Sequence, residues 1–239
     1  MIGITDLTSS IFDHRLFCES PLSIIVRNEK EAKEDILKYV VLKSKGTFIK
    51  FEDGIFKGSS GIYHKEDDYL SFKKSCDGVL LLDRGNRHFL IFVEVKSGYD
   101  EIKNKAFFQL ISSYVRIKTL LATIDTYRNE EYEEVGLIVS YPSARKYDIE
   151  SNSEYSMSRR YVNSRWSSII NKYDYSLRRK NEVCMQMKHF NIDKMHITPG
   201  VVNDTLSVWH VDVAVNVESG EIDLDGVLGS MLPLQLSNL

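Results

Sequence analysis

Cysteine is scarce: Cys18, Cys76 and Cys184 are the only three, and no C-x-x-C pair joins them, so neither a disulfide framework nor a zinc knuckle is supported. Buried free thiols are the expectation. Proline is scarce as well, at four residues, and no segment repeats or falls to low complexity, which excludes collagen-like and disordered classes. Long apolar runs are missing: the longest, over residues 89–93, is far too short to span a bilayer, and no basic-then-apolar leader opens the sequence. A cytoplasmic protein without membrane association is expected. Positive charge is not in surplus either. A net charge of −3 argues against a protein that coats nucleic acid, because counterion release needs a local excess of Lys and Arg. The histidines, His14, His64, His88, His189, His196 and His210, form no H-x-x-x-H or H-x-H pair, so the usual zinc signature is absent. No G-x-S-x-G elbow is present, and the glycine-serine run over residues 58–61 lacks the G-K-[ST] of a phosphate loop and reads as a turn.

What is present is an ordinary globular composition, 43% hydrophobic and 27% charged, on a chain long enough for one sizeable α/β core with an appendage. Residues 21–43 contain no glycine and place Val26, Leu37, Val40 and Val41 on one broad face at helical spacing, which predicts a helix closed by Gly46. Short β-prone runs follow over residues 47–51, 61–63, 69–72 and 79–82, punctuated by glycines as in an antiparallel meander. Residues 83–87 read as a hairpin turn leading into a strand over residues 88–95. Ile102, Ala106, Leu110, Ile117 and Leu121 then mark the clearest helix, over residues 102–124, before a fully apolar strand over residues 135–139 that Pro142 ends. Beyond it lie a polar stretch, a basic aromatic segment, and two β-like runs over residues 195–202 and 206–217.

The chemistry concentrates where two strands end. Residues two apart on a strand share a face, so Glu94 and Lys96 continue the apolar row of Leu90 and Phe92. Burying those charges unpaired would cost several kcal/mol each, so each needs a partner: the other, a neighbouring carboxylate, or a metal ion. The hairpin turn places Asp77 of the preceding strand opposite Glu94. Two adjoining carboxylates repel unless a divalent cation lies between them, and a hard cation such as Mg²⁺ takes oxygen ligands while keeping several waters. A metal-held water beside a lysine ammonium suits phosphodiester hydrolysis.

Asp77 and the run Glu94-Val95-Lys96 resemble the D…(D/E)-x-K signature of the PD-(D/E)XK nuclease superfamily. The resemblance covers roughly half the chain. It implies a restriction-endonuclease-like α/β fold, a mixed β-sheet flanked by helices, over residues 1–142, with residues 143–239 as a C-terminal α+β extension packed on that core. Asp77, Glu94, Lys96 and Gln109 are then the catalytic candidates, with Asp77 and Glu94 as ligands of Mg²⁺, for which Mn²⁺ can substitute. Gln109 fits because it lies on the apolar face of its helix. A carboxylate on the first helix completes the pattern in many members; Glu34 is the leading candidate, with Glu29 and Glu31 as alternatives. Cys76 stands where some members have proline.

The implied function is a metal-dependent endonuclease, DNA being favoured over RNA as substrate, of the kind found in prokaryotic antiphage defence. It acts as a homodimer or with a partner subunit where its mild acidity leaves it short of grip. The alternative is a catalytically silent or partner-activated module that binds nucleic acid or protein. Arg159, Arg160, Arg165, Trp166, Arg178 and Arg179 mix cations with an aromatic as a phosphate-gripping, base-stacking surface would, and equally as the solvated side of an amphipathic helix would.

Overall fold

The computed structural model describes residue 7 and residues 13–28, 37–59, 75–97, 106–124, 127, 132–142, 172–174, 176–177, 180–190, 204–214 and 217–229. Its centre is one open mixed sheet of eight strands. These are β1 (Phe17–Arg27), β2 (Tyr39–Phe51), β3 (Gly78–Asp83), β4 (His88–Lys96), β5 (Tyr132–Ser140), β6 (Glu182–Gln186), β7 (Thr205–Asp212) and β8 (Ser219–Asp223). Three helices among the described residues concern the site and its sheet: α1 (Asp53–Ser59), α2 (Phe107–Leu121) and α3 (Leu224–Gly229). Strands run in the order β1-β2-β3-β4-β5-β7-β6, and β8 pairs with β2 off that path. From β1 to β4 all neighbours are antiparallel; β4, β5 and β7 are parallel to one another. The described residues are thus mixed α/β, with an open, mostly strand-built sheet and few helices. Among the described residues no helix is long and apolar enough to cross a membrane.

Strands β3, β4 and β5 form at the centre because their apolar runs are buried on both faces, as continuous Val, Leu, Ile and Phe runs require. One face, with Val79, Leu90, Phe92 and Ile138, packs under Leu110, Ile111 and Tyr114 of α2. The opposite face, with Leu80, Ile91, Val95 and Leu137, packs with Leu224 and Leu228 of α3. Each such fully buried side chain contributes roughly 1.5–3 kcal/mol of transfer free energy. Gly136 on β5 makes the approach of α2 feasible: a Cβ there would lie 2.9 Å from Val208 and 3.3 Å from Leu110.

The sequence expectations for the β3–β4 hairpin, for α2 and for β5 correspond to elements that form. The helix expected over residues 21–43 is overturned. Residues 21–27 lie in β1 and residues 39–43 in β2, paired antiparallel from Ser23↔Lys43 to Arg27↔Tyr39. The reason is local stiffness: Ile24, Ile25, Val26, Val40 and Val41 are β-branched and favour the pleated conformation. Burial follows a period of two here, with Ile24 and Val26 buried around exposed Ile25, and Val40 and Leu42 buried. Gly46, expected to close that helix, lies inside β2.

Strands β6 and β8 form where the sequence reading expects none, and the run expected over residues 206–217 ends as β7 at Asp212. The strands expected over residues 61–63, 69–72 and 195–202 lie outside the described residues.

Candidate active site at the carboxyl end of the lysine strand

Strand pairing sets the site. Gly78 pairs with Val93, so one step further along the hairpin Asp77 stands beside Glu94. Both belong to the row that continues Val79 on β3 and Phe92 on β4, on the face that α2 covers. Asp77, Glu94 and Lys96 are all buried. Asp77 Oδ2 accepts the backbone N–H of Val95 at 2.7 Å, which fixes the carboxylate against the lysine strand. Lys96 Nζ donates to Glu94 Oε1 and, at 3.2 Å, to Gln109 Oε1. The sequence-derived set of Asp77, Glu94, Lys96 and Gln109 is therefore brought together.

Helix α2 contributes more than its glutamine. Gln109 Nε2 donates to the carbonyl of Ser75 at 2.8 Å, and Ser113 Oγ accepts the N–H of Cys76 at 2.8 Å. These two side chains stand four apart, on one helix face. Together they clamp the backbone immediately before Asp77. Ser113 is a positioning residue that motif reasoning passes over; its only sequence signal is a polar side chain one helical turn from Gln109 within an apolar stripe.

Charge burial is matched in kind. Glu94, fully buried, has the Lys96 ammonium as partner, and an ion pair so placed offsets its desolvation only when its geometry is good and further hydrogen bonds complete it. Gln109 supplies such a bond to Lys96, while the Val95 amide serves the neighbouring Asp77 carboxylate. The Cys76 thiol is held well above its ordinary range, first by burial and then by the charges of Glu94 and Asp77, so it stays a neutral thiol. Its Sγ donates to the carbonyl of Gly78 at 3.2 Å.

Asp77 and Glu94 are hard oxygen donors at one end of the central strands, a chemistry that suits Mg²⁺ or Mn²⁺ with water or substrate completing the shell. Among the described residues no group of three or more His, Cys, Asp and Glu converges as a fuller ligand set. Glu34, with its alternatives Glu29 and Glu31, lies outside the described residues. So do Arg159, Arg160, Arg165, Trp166, Arg178 and Arg179. The described part of that basic segment is helical at residues 172–174 and 176–177, with Tyr173 and Leu177 buried four apart as an amphipathic helix would bury them.

A second buried polar cluster lies on the same face of the sheet, at the start of β5. Tyr114 Oη lies within hydrogen-bond reach of Glu134 Oε2 at 2.8 Å and Asp204 Oδ2 at 2.5 Å, its one proton serving one of them at a time. Lys118 Nζ bonds Glu134 and, at 3.0 Å, Asp204. Burial pushes the Glu134 carboxyl up to about 7 against the opposing pull of Lys118. Its two carboxylates already have a cation and a hydroxyl, so the cluster reads as a structural clasp between α2, β5 and the start of β7.

No family model matches the chain, and no curated protein or solved structure does either.

Proposed function

We propose that the protein is a metal-dependent nuclease that hydrolyses phosphodiester bonds, with DNA as the first substrate to test. The observation that carries this reading is the convergence of Asp77, Glu94, Lys96 and Gln109 at one strand end: the first three are buried, Lys96 bonds both Glu94 and Gln109, and Asp77 is tied to the backbone of Val95 between Glu94 and Lys96. The antiparallel run β2-β3-β4, then α2, then β5 parallel to β4, supports it, because this is the part of the restriction-endonuclease-like pattern that carries the D…(D/E)-x-K motif.

Asp77 and Glu94 would hold the cation. Bound there, Mg²⁺ supplies a more acidic water and countercharge for a phosphate. Lys96 keeps an ammonium at the same strand end, held by Glu94 and Gln109, where it can orient that water and stabilise charge that develops on phosphate oxygens. Gln109 joins the two halves of the site: its carbonyl oxygen receives Lys96 and its amide nitrogen holds Ser75, two residues before Asp77.

The test is a calorimetric Mn²⁺ titration of wild type and Asp77→Asn, with plasmid cleavage by the same samples. Binding and cutting by wild type that are both lost in the variant support the reading. Cutting that persists in the variant, or in chelator, overturns it.

A further inference from the structure

The site's polarity does not stop at the lysine strand. Parallel pairing aligns Glu94 with Ile138 and Ile138 with His210; the next row out aligns Lys96 with Ser140 and Ser140 with Asp212. One row deeper the same strands place Phe92, Gly136 and Val208. Three adjacent parallel strands therefore turn from apolar to polar over two rows, β4 and β7 at Glu94 and His210 and β5 one row later at Ser140, on the face that α2 covers. In open α/β sheets the carboxyl ends of parallel strands are where ligands are handled.

Ser140 is fully buried and His210 is 4% exposed. His210 Nε2 lies 2.9 Å from Ser140 Oγ, and Ser140 Oγ donates to the Tyr141 carbonyl at 3.0 Å. With the serine hydrogen committed there, the proton of this contact belongs to Nε2, which donates to Ser140. Asp212 Oδ1 approaches the same nitrogen at 3.5 Å. Both partners sit on Nε2, so this is not a nucleophile triad, in which the acid and the serine take opposite ring nitrogens. It is a brace joining the ends of β5 and β7. A hydrogen-bonded polar pair is no better for net stability than a well-packed apolar pair, but it fixes direction as an apolar contact does not.

We propose that His210 is a positioning residue for the site, acting through Ser140 on Lys96, its neighbour across the β4–β5 ladder. The claim that this serves catalysis rests on the nuclease reading; the claim that His210 places Lys96 does not. By holding the end of β5 in register, His210 keeps the Lys96 ammonium against Glu94 and Gln109.

The test compares the full-length chain carrying His210→Leu or His210→Gln with wild type. Glutamine offers an N–H donor near the place of Nε2; leucine fills space without one. Three readouts are taken: the rate of amine labelling at Lys96 by mass spectrometry, Mn²⁺ titration, and kcat and KM on plasmid DNA. For the leucine variant, Lys96 labelling is expected to rise several-fold while that of Lys118, buried in the other cluster, stays unchanged and reports an intact fold. Its kcat is expected to fall by about 10- to 100-fold at unchanged KM and Mn²⁺ affinity, with glutamine restoring most of the rate and the protection. Unchanged Lys96 labelling in the leucine variant overturns the proposal. So does a glutamine variant as impaired as leucine, or a rise in KM at constant kcat, which would make His210 a substrate contact instead. If wild type neither binds Mn²⁺ nor cuts, the nuclease reading falls, and the labelling comparison still decides whether His210 places Lys96.

Discussion

The carboxylate of Asp77 accepts the backbone N–H of Val95, the residue between Glu94 and Lys96, at 2.7 Å. One side chain thereby serves as a candidate ligand and as the fastener between the two halves of the motif. Alanine and asparagine at this position should part company. Asp77→Ala leaves a buried amide unmatched and should cost about 1–3 kcal/mol of stability. Asp77→Asn keeps an acceptor and should melt near wild type, yet lose Mn²⁺ binding. Thermal melts and calorimetry of both variants check this, and equal melting of the two would refute the fastener role.

Lys96 and Glu94 form a buried pair, so removing one charge strands the other. Lys96→Met should lower cleavage by about 10²- to 10⁴-fold, the range for loss of a charge-stabilising or proton-handling group. It should also destabilise by roughly 3–5 kcal/mol, because the Glu94 carboxylate remains buried without its cation. Adding Glu94→Gln should recover most of that stability and none of the activity. Urea midpoints of the single and double variants give the answer; additive losses would mean the two residues are not energetically coupled.

The Tyr114, Lys118, Glu134 and Asp204 clasp predicts a pH dependence of stability. The Glu134 carboxyl titrates near 7 in the folded chain against an ordinary value of 4.5, burial being the main cause. Between those values the folded chain holds the proton more tightly than the unfolded chain does. The stabilisation is therefore full below about pH 4.5 and lost as pH rises through 7, amounting to about 3 kcal/mol. Denaturation across this range should show a wild-type decline that Glu134→Gln lacks once the two curves are subtracted. A difference that grows in the opposite direction would mean the carboxyl is ionised throughout.

Gly46 in β2 faces the backbone of β3: a Cβ there would lie 2.0 Å from the carbonyl oxygen of Asp83. Gly46→Ala should therefore cost about 1–3 kcal/mol or somewhat more, since the obstacle is main chain and not a flexible side chain. A denaturation midpoint equal to wild type would show that the β2–β3 ladder yields freely.

What the sequence made legible follows from how local each signal is. The hairpin announced itself through its turn and two apolar runs, and α2 through its repeat of Ala106, Leu110 and Ile117. Asp77, Glu94, Lys96 and Gln109 could be brought together on paper because short connections govern their geometry. Residues 21–43 misled because a broad helical face and an alternating strand can both be drawn through Val26, Leu37, Val40 and Val41; the β-branched pairs and the alternation at Ile24 and Val26 were the better guide. His210 and Ser140 gave no sequence signal. They are 70 residues apart and meet only because β7 lies against β5. Ser113 was visible as part of a helix stripe, but its bond to Cys76 required the path of the loop before Asp77.

Strand β8 has a consequence for how the molecule is made. Tyr39 to Lys43 of β2 pair with Ser219 to Asp223, and beside this ladder Lys38 bonds Glu218 across 180 residues. A ribosome releases β2 long before its partner, so this half of one margin stands open during most of synthesis, an invitation to wrong pairing that nascent chains must survive. Contacts this distant in sequence also slow assembly, because their loop must close before they give anything back. Truncation ahead of residue 219 would leave that margin open for good, so a shortened product is expected to clump in the cell even though Asp77, Glu94 and Lys96 are all present in it.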